Sequence, residues 1–253
     1  MGNRAVITTK GSRKGIYIHW NGGRDSVEPI LWATKNLVAN KVAMAHTELE
    51  NIAYTLDAVG FNPEIGKLNE LDCDNYDNGL YITNNYEIIG RKYFRGGEQK
   101  EFNFLEFVKF INEQLPQRLK REENELLMLL ASVIPSYSVN GKIKKEDYIK
   151  NLNVGDIIYY KDTFYTLIGR AEKDKVVNGS DIKEGELFFN YTQHYKPTSY
   201  GDFRISNDNL EHLSNNPNSY VHFDWRTNDA EFKVVNMTLY KQLKEDWANL
   251  PTE

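Results

Sequence analysis

The residue types best suited to chemistry lie in the stretch from Gly15 to Glu28. A short run of β-forming residues leads into the paired glycines Gly22 and Gly23, and a helix start follows directly. This order of strand, glycine turn and helix N-terminus presents several free backbone amides to one point, where they favour an anion. The pattern predicts an anion or nucleotide site formed by Asn21, Gly22, Gly23, Arg24, Asp25 and Ser26, with His19 at its edge.

A helix cap explains the same residues without any ligand. Asp25 can accept backbone hydrogen bonds as the N-cap, and Glu28 three residues later completes a capping box. The glycines then only turn the chain, and Pro29 lies in the first helical turn, where proline is tolerated. The sequence favours this structural interpretation over anion binding.

The segment from Asn21 to Ser26 resembles the Ser-Gly-Gly-x-Asp-Ser signature of the PP-loop ATP pyrophosphatases. The two glycines, Asp25 and Ser26 match it by position, and Asn21 replaces its first serine. The resemblance implies a loop that holds ATP phosphates and a protein that adenylates a substrate. It also implies a parallel α/β sheet, whereas this chain has the pattern of antiparallel hairpins.

A longer resemblance covers three segments in the N-terminal part of the chain, Gly15 to Glu28, Leu71 to Gly79 and Glu87 to Arg91. Together they resemble an uncharacterised family of proteins from phages and mobile elements of Gram-positive bacteria. The resemblance implies a context rather than a mechanism, namely a small cytoplasmic accessory factor such as an inhibitor of a host defence system (an anti-CRISPR protein or similar).

Composition restricts the classes of partner. The 253-residue chain has a formal net charge of −5. This charge provides no basic surface for sequence-independent binding of duplex DNA. Cys73 is the only cysteine, which excludes an intrachain disulfide and a cysteine-based zinc cluster and fits a reducing cytoplasm. No apolar run is long enough to span a membrane.

An acidic cluster before Gly79 consists of Asp72, Asp74 and Asp77, with Asn78 beside them, and it is similar to a calcium loop in composition. Its spacing fails the EF-hand template because Thr83 stands where the final glutamate belongs. A solvated Asx turn is the predicted structure. Cys73 lies between Asp72 and Asp74, whose charges disfavour a thiolate, so a nucleophilic role is not expected.

The five histidines show no metal-type pairing, and no metal or cofactor is expected. For His19 we expect a strand residue satisfied by a neighbour rather than a general base. The C-terminal part contains many aromatic residues, which we interpret as faces of small strands, although such surfaces also bind proteins or single strands. These aromatic residues are Phe188, Phe189, Tyr191, Tyr195, Tyr200 and Tyr220.

Periodicity predicts an α+β fold with two domains, residues 1–135 and 136–253. The first contains antiparallel hairpins packed by helices, and the second is a small β-rich domain, SH3-like or a β-roll, with a C-terminal helix. The predicted elements are hairpins over 4–20 and 80–89, helices over 26–38, 42–59 and 237–250, and a helical region over 103–133 that Pro116 breaks.

No fingerprint of a known catalytic class occurs beyond the glycine segment. We therefore expect a non-enzymatic cytoplasmic protein of a phage or mobile element that binds a host protein or a nucleotide signal. The alternative is a nucleotide-binding enzyme that uses the Asn21–Ser26 loop. The sequence leaves the oligomeric state open.

Overall fold

The computed structural model describes residues 3–39, 41, 47–98, 100–133, 152–160, 162–170, 174–177, 180–182, 184–185, 187–191, 221–223 and 233–251. The chain divides into two compact units, one of residues 1–122 with 246–253 and the other of residues 123–245. The division thus falls before residue 135, where the sequence placed a domain boundary. The predicted α+β class is confirmed.

The first unit is built on a mixed five-stranded sheet in the order β3-β2-β1-β4-β5. Both predicted hairpins, β1–β2 and β4–β5, are confirmed as antiparallel pairs, whereas β1 and β4 pair in parallel. The edge strand β3 was not predicted. The strands are β1 (Ala5–Thr9), β2 (Lys14–Ile18), β3 (Glu64–Lys67), β4 (Leu80–Asn84) and β5 (Glu87–Lys92).

The first unit also contains three helices. They are α1 (Arg24–Ala33), which continues as a π-helical turn (Thr34–Val38), α2 (Glu48–Ala58) and α3 (Phe104–Gln114). Of these, α1 and α2 contact the sheet and α3 packs against α1. The predicted helix over 26–38 is confirmed. The helix predicted over 42–59 is confirmed for α2, which begins at a capping box formed by Thr47 and Glu50, while residues 42–46 lie outside the described residues.

The core of this unit lies between the helices and the central strands. Ile7 on β1, Ile30 on α1, Ile52 on α2 and Ile111 on α3 are completely buried. Burial of each such side chain stabilises the fold by about 1.5–3 kcal/mol relative to exposure. The side of each helix that packs into this core therefore determines which of its side chains remain exposed to solvent.

The helical region predicted over 103–133 is confirmed as two helices up to Leu130, whereas its end, Ser132–Val133, forms a β-strand. Leu115 has an extended backbone before Pro116, as a residue that precedes proline prefers, and α3 ends there. The chain then enters α4 (Glu123–Leu130), which belongs to the second unit.

The second unit is β-rich, as predicted. Its described strands form an antiparallel sheet in the order β12-β11-β8-β7-β13-β6, with a separate β9–β10 hairpin. A C-terminal helix α5 (Met237–Ala248) follows, and its residues from Asp246 onward, Trp247 among them, belong to the first unit. The strands are β6 (Ser132–Val133), β7 (Ile157–Tyr160), β8 (Thr163–Arg170), β9 (Lys175–Val177), β10 (Ser180–Ile182), β11 (Leu187–Tyr191), β12 (Val221–Phe223) and β13 (Lys233–Val235). Tyr195, Tyr200 and Tyr220 lie outside the described residues.

Candidate functional site

The paired glycines form a bend that lies directly against β1. Asn21 adopts a positive φ of 58°, and the Gly22 amide donates to the Asn3 carbonyl over 2.6 Å. The hydroxyl of Tyr81 donates to the Gly22 carbonyl over 3.1 Å. Both polar groups of the Gly22 backbone are thus used by the fold itself.

Ser26 and Arg24 are also engaged by the chain. Ser26 is completely buried, and its hydroxyl contacts the carbonyl oxygens of Asn21 and Gly23. Arg24 is exposed and pairs with Glu28 over 2.6 Å. Of these two side chains, only Arg24 is accessible to a ligand.

The prediction that Asp25 caps α1 is wrong. The N-cap is Gly23, without a side-chain cap, and Glu28 pairs with Arg24 instead of completing a capping box. The helix starts before Asp25, so its carboxylate lies in the first turn, where it still complements the helix dipole. Its Oδ2 accepts hydrogen bonds from the amides of Glu101 and Phe102 over 2.6 and 2.9 Å. Asp25 therefore fastens the segment before α3 to the start of α1.

Two buried polar atoms flank Gly23 without a partner among the described residues, the Asn3 Nδ2 donor and the Asp25 Oδ1 acceptor. A Cβ built on Gly23 would lie 2.5 Å from that Oδ1 and 3.6 Å from that Nδ2. A side chain at position 23 would therefore clash with the Asp25 carboxylate, which explains the glycine there. The Asp25 carboxylate also means that the chain places its own negative charge at this helix N-terminus.

The acidic cluster before Gly79 forms a loop organised around a buried asparagine. The side-chain oxygen of Asn75 accepts from the amides of Asp77 and Gly79, an Asx-turn arrangement, and its Nδ2 donates to the Asp72 carbonyl. The predicted Asx turn is confirmed, but Asn75 is only 1% exposed rather than solvated. Asn75 therefore anchors the turn in the protein interior, whereas Asp72 and Tyr76 of the same loop are exposed.

Arg4, which directly precedes β1, holds this loop. Its Nε lies 2.7 Å from the Asp77 carboxylate, and its Nη2 donates to the Asn75 carbonyl over 2.6 Å.

No group of three or more His, Cys, Asp or Glu side chains suitable for a metal ion occurs within the described ranges.

The three segments that carry the phage-protein resemblance meet in one polar network. Arg91 donates to the side-chain oxygen of Asn78 over 2.7 Å, and the Asn78 amide donates to the side-chain oxygen of Asn3. The Arg91 guanidinium also lies over the Tyr81 ring, 4.4 Å from its centroid. Burial raises the pKa of the Tyr81 phenol above its ordinary value, so the hydroxyl stays protonated as the donor to Gly22. These contacts give the three segments a role in holding the fold together.

His19 has a neighbour, as predicted. Its Nδ1 lies 2.9 Å from the hydroxyl of Tyr17, and its ring meets Trp20 edge to face at 4.7 Å. Trp20 is 59% exposed. His19 and Trp20 thus form an exposed aromatic pair at the end of β2.

Cys73 is a half-buried thiol whose Sγ donates to the Leu68 carbonyl. Burial, with a smaller contribution from the Asp72 carboxylate, raises the pKa of the thiol. The predicted direction is confirmed.

We expect iodoacetamide to alkylate Cys73 several-fold more slowly in the native protein than in the urea-unfolded chain at the same mildly alkaline pH. The raised pKa leaves less thiolate in the folded state, and the difference shrinks as the pH rises through the native value. Mass spectrometry over time measures both rates. Equal alkylation rates of the native and unfolded chains at every pH would contradict the raised pKa of the Cys73 thiol.

A groove along α3 is the feature that the sequence analysis missed. It encloses about 620 Å³ and is floored by four phenylalanines. The Phe107 ring stacks with Phe110 at 5.8 Å and with Phe61 at 6.0 Å, and it meets Phe102 at 4.7 Å. Phe107 is buried, but Phe110 remains 38% exposed. The groove therefore presents an aromatic surface to solvent.

The rim of this groove is acidic. Glu101, Glu106 and Glu113 are exposed, and their carboxylates form no ion pair within the described part of the chain. The lining cation, Lys109, lies over the Trp247 ring at 5.3 Å. Asn21 also lines the groove and links its end to the glycine bend.

The sequence contained a signal for the groove. Phe104, Phe107 and Phe110 recur every third residue, which spreads aromatic rings over more of α3 than one buried face accommodates. The exposed Phe104 and Phe110 show that part of this aromatic surface stays outside the core.

No protein-family model matches this chain, and comparison with curated proteins and with solved structures found no match. Among the described helices, none is long and apolar enough to cross a membrane.

Proposed function

We propose that this chain is a non-enzymatic binding protein that captures a partner protein in the groove on α3. The observation that carries the proposal is the solvent-exposed phenylalanine floor, in which Phe110 continues the stack of Phe61 and Phe107. Aromatic side chains dominate the energetic centres of protein interfaces because they bury a large area with little loss of side-chain freedom. An acidic rim disfavours phosphate, which supports a protein rather than duplex DNA as the partner.

The resemblance to phage and mobile-element proteins supplies the proposed context. In that context the partner is a protein of a host defence system, and the chain acts in the host cytoplasm as its inhibitor or modulator.

We expect a photoreactive phenylalanine analogue at Phe110 to cross-link a host protein in a lysate of a Gram-positive bacterium. Excess unlabelled protein should suppress the cross-link, whereas a Phe110→Ala competitor should be about 30-fold less effective, as for loss of a central aromatic anchor. Quantitative mass spectrometry of the cross-linked peptide measures this competition.

Ile65→Ala is the matched control, because Ile65 is a 51% exposed apolar side chain on edge strand β3 and does not line the groove. The control protein should compete as well as the unmodified chain. Equal competition by Phe110→Ala would contradict the proposed surface.

A second candidate is a nucleotide signal or substrate at the Asn21–Ser26 loop. Two observations favour it: the buried Asn3 amide at Gly23 without a described partner, and the exposed Arg24. The Asp25 carboxylate opposes it. Calorimetric titration with ATP tests this candidate, and absence of heat at millimolar nucleotide removes it.

A further inference from the structure

We propose that the groove on α3 recognises two arginine side chains of a partner segment, with two apolar residues between them. This inference rests on the proposed function and names the chemistry of the partner. The argument starts from the spacing of three exposed residues on α3.

Glu106, Phe110 and Glu113 lie four and then three residues apart, so they form one stripe along the helix. All three are exposed. With a rise of about 1.5 Å per residue, the two glutamates are separated by roughly 10 Å along the helix axis, with a phenyl ring between them. The stripe thus alternates charge, aromatic face and charge.

Among the described residues that line the groove, negative charges exceed positive ones. Glu101, Glu106 and Glu113 line it together with one cation, Lys109. Lys120, which does not line the groove, donates to the main-chain carbonyl of Glu113 over 2.5 Å. Lys109 lies near Trp247 instead of pairing with these carboxylates among the described contacts. An occupant that brings two positive charges would neutralise this excess.

Arginine fits this stripe better than lysine. Its planar guanidinium stacks on an aromatic ring and pairs with a carboxylate through two parallel hydrogen bonds, whereas an ammonium group does neither as well. A guanidinium beside Phe110 can reach Glu106 or Glu113. The apolar residues between the two arginines then cover the exposed Phe110 ring.

The separation of the glutamates also sets the register of the partner. Two side chains about 10 Å apart on one side correspond to positions i and i+3 of a polyproline II segment, which has three residues per turn and rises about 3.1 Å per residue. A peptide that carries arginines three residues apart, separated by leucines, is therefore a suitable probe.

We expect this capped peptide to bind the full chain in a calorimetric or fluorescence titration. The same peptide with citrulline at both arginine positions keeps the shape but lacks the charge, and it should bind about tenfold more weakly. The double variant Glu106→Gln/Glu113→Gln should lose the same factor for the arginine peptide and almost none for the citrulline peptide. Glu64→Gln, an exposed glutamate on β3, is the charge control.

The outcomes separate this inference from the proposed function. If Phe110→Ala abolishes binding but the arginine and citrulline peptides bind equally, the groove is a binding surface and the arginine inference fails. If Phe110→Ala leaves binding unchanged, the groove proposal itself fails. No binding at millimolar arginine peptide, or a dimer in light scattering that Phe110→Ala dissociates, also contradicts the inference, since a second copy of this chain would then be the occupant.

Discussion

Replacing Gly22 by alanine is expected to lower the free energy of unfolding by about 3 kcal/mol. The new methyl group would lie 2.6 Å from the Ala5 Cβ and 2.7 Å from both the Ala5 nitrogen and the Asn3 carbonyl oxygen. Two of these three atoms are backbone atoms at the start of the central strand, so they cannot move aside like the end of a flexible side chain. The bend must therefore separate from β1, and the Gly22–Asn3 hydrogen bond is weakened with it.

Urea unfolding of the full chain, followed by circular dichroism, measures this loss. Gly97→Ala is the matched control, because a Cβ at Gly97 meets nothing within 4 Å. The control should change stability by less than about 0.5 kcal/mol. If Gly22→Ala proved as stable as the control, the close contact between the bend and β1 would be disproved.

Replacing Asn75 by alanine is expected to destabilise the protein by about 3 kcal/mol. The change removes the acceptor for the amides of Asp77 and Gly79 and the donor to the Asp72 carbonyl. Each backbone group that stays buried without a partner costs about 1–3 kcal/mol, and partial exposure of the loop recovers part of this cost.

Asn75→Asp and Asn84→Ala make the test specific. The aspartate keeps the acceptor oxygen but loses the donor, so its stability should lie between those of the alanine variant and the unmodified protein. Asn84 is exposed on β4, and its replacement should leave the unfolding transition nearly unchanged. A normal transition for Asn75→Ala would show that this loop is not organised by the asparagine.

Elements with strong local signals could be predicted from the sequence. The turn of Lys10 to Lys14 between two β-branched runs predicts the β1–β2 hairpin. The apolar period from Val27 to Val38 predicts a helix there, but not that its last turn is π-helical. Pro116 predicted the end of α3, because proline removes a backbone donor and restricts the preceding residue.

Features that depend on distant contacts could not be predicted in this way. The parallel pairing of β1 with β4 joins strands that are far apart in the sequence, and β3 has the polar composition of an edge strand within a turn-rich region. The N-cap prediction for Asp25 is wrong. Local spacing cannot reveal that its carboxylate instead binds the amides of Glu101 and Phe102, which are distant in the sequence. Local pattern alone cannot show whether Phe110 faces the core or solvent.

The glycine segment shows the same difference between local sequence signals and contacts of residues that are distant in the sequence. Its residue types are those of a phosphate-binding loop, but the described contacts use Gly22, Ser26 and Asp25 within the fold. The groove on α3 lacks any known motif, yet its exposed ring and uncompensated carboxylates give it the properties of a binding surface.

The claim that the groove, and not the glycine loop, is the binding surface is tested most directly by hydrogen–deuterium exchange of the full chain. One sample contains the arginine peptide at saturating concentration and a second contains ATP. We predict that the peptide slows exchange in residues 101–114, and that ATP changes exchange in neither this segment nor residues 21–27. Protection of residues 21–27 by ATP, with no effect of the peptide on residues 101–114, would contradict the account.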